Sequence, residues 1–304
     1  MAADIPPEGP EETPAAAPRP LKGILLVIFA TLAFALADSL TKDLASRHPV
    51  TVVLAIRYLF NVGLLVLFLG PRLGPRLWRT QRTGLVILRG SSLAIASLGF
   101  AMALQVMPIA ETVAIVYLAP ILVMLLAIPL LGEKVGIVGW ISAAAGFAGV
   151  LLIARPGGGL DPVGVALALS NACLTAGYHL LSRSLARTET TIAMLFHTGM
   201  VGSVIFSVAS VGFLAELSLP LVDLAQMALL GALSTVGHFM FTAAYREAPA
   251  SLLAPVNYLH LVWAGGLGYF IFGHLPDILT TTGMLLVCAA GVTLAVWSYV
   301  GRER

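Results

Sequence analysis

Residues 100–117, FAMALQVMPIAETVAIVY, return 141 positions later as residues 241–258, FTAAYREAPASLLAPVNY. Phe100 falls on Phe241, Ala103 on Ala244, Pro108 on Pro249 and Tyr117 on Tyr258. The same shift, almost without gaps, sets Gly23 on Gly164, Lys42 on Arg183, Leu44-Ala45 on Leu185-Ala186, Gly90 on Gly231 and Gly132 on Gly273. A repeat of this length governs the whole fold. The chain reads as two tandem halves, 21–156 and 161–300.

Composition names the solvent of these halves. The 304 residues are 59% hydrophobic and only 11% charged, with a mean hydropathy of +0.96. A soluble domain carries about 25% charged residues, so the outer surface must face lipid. Crossing the ~30 Å hydrocarbon core takes about 20 apolar residues in a helix. Such runs fall near 22–41, 50–70, 83–105, 109–131, 136–154, 162–182, 190–213, 222–245, 250–272 and 278–299. Gly132-Glu133-Lys134 and Gly273-His274-Leu275-Pro276-Asp277 supply the breaks that keep the last two runs of each half apart. Continuous apolarity, rather than alternation, excludes a β-barrel. The expectation is an all-α integral membrane protein of ten transmembrane helices, five per repeat. An odd number per repeat inserts the second half upside down. Inverted repeats related by an axis in the membrane plane mark secondary transporters, with the cargo site between the repeats near mid-membrane.

The flanking charge sets the expected orientation. Twelve Lys/Arg fall in the segments on one side, against Lys42, Arg47 and Arg155 on the other. Both termini are therefore expected in the cytoplasm of a cell with a bacterial inner membrane. Residues 1–20 hold six prolines and four acids without a basic start or a cleavage site, as a disordered cytoplasmic tail would. The net charge of +2, with its basic residues scattered, gives no reason to expect nucleic acid. Cys173 and Cys288 lie in apolar runs with no metal or disulfide spacing, so they read as buried, inert thiols. No metal or cofactor is implied.

The sequence also resembles the drug/metabolite transporter superfamily, in its ten-helix branch with two EamA-type domains. The resemblance covers residues 22–300. It rests on Met107-Pro108-Ile109-Ala110-Glu111, Tyr117-Leu118-Ala119-Pro120, Leu131-Gly132-Glu133 and the glycine-rich stretch from Gly139 to Gly149. In the second half it rests on Ala248-Pro249-Ala250-Ser251, Ala254-Pro255-Val256-Asn257-Tyr258 and the segment from Phe272 to Asp277. His274 departs from the family, which often has Glu there. Similarity to this superfamily implies transport of a small molecule: amino acids or amino-acid-derived metallophores outward, riboflavin or S-adenosylmethionine inward.

A charge at the bilayer centre costs at least about 2.5–3.5 kcal/mol, so each intramembrane ionisable group asks for a reason. Arg57, whose repeat counterpart is read as His197, could clamp a carboxylate in bidentate fashion, or pair internally with Asp38 or Glu111. Glu111 opens the fourth span, where it could cap a helix or bind a cation or proton at the mouth of a cavity. Asp38 stands four residues before Lys42, the spacing of a helical ion pair. Tyr117 and Tyr258 hold equivalent places beside proline-broken helices, where rings could stack on cargo or simply pack. Asn257 and His260, polar and buried, need either interhelical partners or cargo. The candidate cargo contacts are thus Arg57, Glu111, Tyr117, Asn257, Tyr258 and His260. The candidates for proton coupling are Asp38, Glu111, His197 and His238. Arg89 reads as a residue snorkelling to headgroups. Gly139, Gly146, Gly149, Gly283 and Gly291 suit close helix contact, in a rigid scaffold or a homodimer face.

Transport outweighs the other classes. No P-loop is present for ATP hydrolysis, and no clustered acid/base set or metal pair suits an intramembrane enzyme. Arg246-Glu247 and Glu133-Lys134 read only as short-loop ion pairs. No repeated polar ring suits a channel. The favoured expectation is export of an amino-acid-like compound, such as an opine-type metallophore, with Arg57 on a carboxylate and Glu111 on an ammonium. Import of riboflavin or S-adenosylmethionine is the alternative.

Overall fold

The computed structural model describes residues 20–131, 136–155, 159–185, 188–213, 218–247, 253 and 256–300. The proline-rich tail, the 132–134 and 248–251 motifs, and Ala254-Pro255 lie outside the described residues. The first repeat comprises α1 (Pro20–Arg47), α2 (Val50–Leu73), α3 (Thr83–Val106), α4 (Ile109–Val116), α5 (Ala119–Leu131) and α6 (Ile137–Ile153). The second comprises α7 (Pro162–Leu185), α8 (Thr191–Ser210), α9 (Leu221–Glu247), α10 (Leu259–Phe272) and α11 (Ile278–Val300). No strand occurs among the described residues. Among the described residues, seven segments are long and apolar enough to cross a membrane, α4 and α5 together counting as one; α6, α10 and α11 are the shorter apolar helices that complete ten. Their outward side chains, including Leu67, Phe68, Ile141, Leu151, Val208, Phe239 and Phe270, form the lipid-facing belt.

Packing follows the repeat. α1 lies along α9 as α3 lies along α7; α3 meets α8 as α9 meets α2; α1 meets α10 as α7 meets α4 and α5. The pairs α2 with α8 and α6 with α11 map onto themselves. Single atoms obey the same relation. A Cβ at Gly90 would stand 3.3 Å from Thr198 Cα and Val201, whereas one at Gly231 would stand 2.7 Å from Phe60 and 2.9 Å from the Arg57 carbonyl. Thr198 and Val201 are 141 residues beyond Arg57 and Phe60. The true counterpart of Arg57 is therefore Thr198; the expected pairing with His197 is one residue out of register.

The relation is incomplete. α1 also touches α3, but no comparable contact joins α7 to α9 among the described residues. The contacts of α1 with α2 and of α2 with α3 likewise have no comparable counterparts in α7 with α8 and α8 with α9 among the described residues. Among the described residues, the two halves are therefore not in identical arrangements. Two inverted halves in unequal arrangements are what alternation between openings requires.

The glycines of the fifth and tenth spans are used inside the chain. A Cβ on Gly149 would lie 2.7 Å from the Gly283 carbonyl oxygen, and one on Gly283 would lie 2.5 Å from the Gly149 oxygen. Both obstacles are backbone, which cannot rotate away. Gly149→Ala should therefore cost about 1–3 kcal/mol, the usual range for overpacking. Thermal unfolding in detergent would show this as a lower midpoint, with Gly84→Ala, where a Cβ meets nothing, as the control.

Candidate functional site

Helices α2, α3, α7, α8 and α9 enclose a cavity of about 60 Å³ lined by Arg57, Tyr58, Asn61, Leu93, Ser97, Tyr178, Leu195, Thr198, Gly199, Ser234 and His238. Four repeat pairs sit in this wall, each separated by 141 residues: Arg57 with Thr198, Tyr58 with Gly199, Leu93 with Ser234, and Ser97 with His238. The cavity thus straddles the pseudo-twofold axis. Its shape is symmetric in origin but its chemistry is not, because the guanidinium comes from one repeat and the imidazole from the other. Ordinary small-molecule pockets measure about 300–1,000 Å³. Admitting a metabolite therefore requires the lining helices to separate.

Arg57 is half-buried, its guanidinium 5.5 Å from the Tyr58 ring, and it makes no ion pair with a described carboxylate. Tyr58 is held by Ser97 at 2.9 Å, and Asn61 donates to Thr235 at 2.8 Å. Beside the cavity lies a second cation. Arg89 is only 5% exposed and donates to Ser182 (2.6 Å), the Met194 carbonyl (3.2 Å), Thr198 (2.9 Å) and Tyr178 (2.5 Å). Its guanidinium also sits 4.1 Å from the centre of the Tyr178 ring. The expected snorkelling residue is instead a buried, saturated cation that fixes two cavity-lining side chains. Its stretch, Gly-Leu-Val-Ile-Leu-Arg-Gly-Ser-Ser, gave a clue in the two serines and Gly90, which mark a helix face turned to protein. No carboxylate lines the cavity.

The remaining candidates fall into two further groups. α4 ends at Tyr117 and α10 begins after Tyr258, so both fourth spans break at equivalent residues. The two rings meet at 4.9 Å and 36°, and Tyr117 donates to the Asn257 carbonyl at 2.9 Å, satisfying a backbone acceptor freed by the break. Tyr258 packs toward α11, where any Cβ on Gly291 would collide with its hydroxyl. His260 lies 6.0 Å from the Tyr117 ring and makes a 3.0 Å contact with the Asp38 carboxylate. The expected Asp38–Lys42 pair is not formed. Asp38 turns to α10, whereas Lys42 donates to the Leu104 and Met107 carbonyls, both at 2.6 Å. The Phe34 ring lies between His260 (6.2 Å) and His238 (4.9 Å), linking this group to the central cavity.

Glu111 joins neither group. It lines a separate polar pocket of about 410 Å³, with Lys42, Gln105, His274, Asp277 and Thr280 in the wall. Arg57 and Glu111 are thus not brought into one cavity. Next to this pocket, Asp277 is clasped by Arg155 and by the Thr280 N–H at 2.8 Å. Those contacts, led by the backbone N–H, hold the Asp277 carboxyl below its ordinary 3.8. The stability it adds is present above that value and is lost only in strong acid, as pH falls through the lowered one. His197 stands outside all three groups and bonds the Trp78 carbonyl at 2.8 Å, pinning the 3₁₀ turn Gly74–Leu77 onto α8. Glu247 pairs with Lys22 at 2.5 Å; Arg246 side-chain contacts lie outside the described residues, as does Glu133-Lys134. Cys173 is exposed on α7 and Cys288 half-buried, so the thiols are less buried than expected. No metal-ligand group forms among the described residues.

Ten apolar helices in two inverted halves, around a polar cavity on the axis between them, define a membrane transporter of small molecules. The chain belongs to the EamA-like transporter family, whose pattern matches residues 21–155 and again 162–297. It is 26% identical to the S-adenosylmethionine uptake transporter of Rickettsia bellii over 83% of this chain and 86% of that one. It is 24% identical to the pseudopaline exporter of Pseudomonas aeruginosa over 90% and 95% of the two chains. It is 28% identical to the riboflavin transporter of Rhizobium johnstonii over 90% and 91%. A solved crystal structure shares the fold, with a TM-score of 0.62 at 18% identity, covering 92% of this chain and 97% of that one. The protein is therefore a multi-pass membrane transporter of a bacterial family and not an enzyme.

Proposed function

We propose that this protein exports a carboxylate-bearing, amino-acid-derived metabolite across the bacterial inner membrane by alternating access, with both termini cytoplasmic. The observation that carries this reading is Arg57: an intramembrane guanidinium at a cavity on the repeat axis, unpaired with any described carboxylate. A planar fork of donors in a poorly hydrated site is matched by a carboxylate. With Arg89 behind Tyr178 and Thr198, two cations and no acid act on the cavity. That field favours cargo whose net charge is negative. The pseudopaline exporter is the relative whose name fits best. S-adenosylmethionine fits less well, because its sulfonium and ammonium would face two guanidiniums. Glu111 is too removed in the wall of another pocket to meet the cargo ammonium in this arrangement. Asn61, Ser97 and Ser234 supply polar groups for that end instead.

Untargeted mass spectrometry of cells and medium tests the proposal, comparing a deletion strain with an overexpressing one. An acidic amino-acid derivative retained inside deletion cells and enriched in the overexpressor's medium is the expected result. A compound left in the deletion strain's medium, and drawn down by the overexpressor, would make the protein an importer.

A further inference from the structure

We propose that Glu111 is a proton-binding site, and that its charge controls a latch formed by Lys42 on the end of α3. Glu111 is 6% exposed, and its Oε2 has no hydrogen-bond partner among the described residues. A buried carboxylate with an unsatisfied oxygen is costly when ionised. It nevertheless lines a polar pocket of about 410 Å³ through which water and protons can reach it. That combination suits a group that exchanges a proton rather than one that merely caps a helix.

The nearby ammonium explains what the proton would do. Lys42 spends two donors on the Leu104 and Met107 carbonyls at the C-terminal end of α3, and its Nζ lies 5.6 Å from the Phe272 ring. Gln105 reinforces the join by donating to the Ala45 carbonyl at 2.5 Å. These bonds lie in the α1–α3 contact. An ionised Glu111 acts electrostatically on Lys42 and helps keep the ammonium in this half-buried place. Adding a proton to Oε2 removes that attraction. Lys42 then gains by moving to water, and α1 can leave α3. The linkage runs both ways: once Lys42 has gone, an ionised Glu111 is buried without its cation, so opening and protonation favour one another. The other groups at the pocket are His274 and Asp277, the latter occupied by Arg155 and ionised at any pH well above 3.8. At the same end His48 bonds Asp223 at 2.6 Å, and the Asp223 carboxylate is also held by Arg47. The assignment does not depend on which metabolite is carried.

The test needs no cargo. Nitroxide labels at Ser46→Cys on α1 and Val106→Cys on α3, both exposed positions, are introduced in a Cys173→Ser, Cys288→Ser background. The protein is placed in lipid nanodiscs, and label distances are measured by electron spin resonance from about pH 8 to about pH 5. The expected result is a shift from a short to a long distance as pH falls. Glu111→Gln, nearly isosteric, should show the long distance throughout and lose the pH response. Lys42→Gln should lose it too, whereas His48→Gln and His274→Gln should keep it. Glu111→Asp, which retains an acid on a shorter stem, must still respond, so a failure of the Gln variant to fold would not shield the idea. A wild-type response surviving in Glu111→Gln, or absent in the parent, or removed by either histidine change, would overturn it.

Discussion

Arg57→Gln is expected to slow transport of the cargo by about 100-fold while leaving a folded protein. The reasoning starts from what Arg57 does not hold. It has no ion pair with a described carboxylate, so its removal orphans no buried anion, and its half-buried stem leaves no large void. What is lost is a charge-assisted fork to a cargo carboxylate, worth about 2–3 kcal/mol, and 2.7 kcal/mol is a factor of about 100. Arg57→Lys keeps the charge but not the planar fork and should recover only part of the rate. The measurement is uptake of the identified compound into everted membrane vesicles, beside a thermal-unfolding midpoint for each variant. Wild-type rates in a folded Arg57→Gln protein would remove the carboxylate clamp from the account. Because Arg57 and Thr198 are repeat counterparts on opposite sides of the axis, cargo held between them would keep both contacts near the pivot as the halves rock.

The sequence was most legible where lipid and repetition acted together. Ten apolar runs and the 141-residue shift specify the spans, because hydrocarbon forces every backbone group into helices. The shift even locates the helix breaks, at Tyr117 and Tyr258. Partners were less legible, since a helix presents a given side chain to a neighbour that sequence spacing does not name. Asp38 and Lys42 have the spacing of an ion pair, yet the rotation of α1 sends one to His260 on α10 and the other to the end of α3. The sequence makes Asn257 a candidate through its side chain, but its backbone carbonyl is what receives Tyr117. Applied strictly, the 141-residue shift sets Thr198, not His197, opposite Arg57. Arg89 reads as snorkelling from its sequence, but the helix face on which it lies, turned to α7 and α8, determines its surroundings.

Arg89→Met is expected to lose the protein's stability by about 3 kcal/mol, the larger of the structural changes foreseen. Four hydrogen bonds from one guanidinium join α3 to α7 and α8. Interhelical bonds in membranes average only about 0.6 kcal/mol and reach about 1.7, so four give a sum of that size, to which the cation–π contact with Tyr178 adds. Against this stands the cost of burying the charge, which Met would relieve; if that cost dominated, Met would stabilise the fold, as apolar replacements of buried ions do elsewhere. The two outcomes separate a structural cation from a functional one. A lower unfolding midpoint in Arg89→Met, with Arg89→Lys between it and the parent, would show that the bonds outweigh the desolvation. A higher midpoint together with lost transport would mean that the charge is kept at a cost to stability, for the field it adds at a cavity already lined by Arg57. In either case Tyr178 and Thr198 lose the donor that orients them, and transport should fall with Arg89→Met even at temperatures where the variant remains folded.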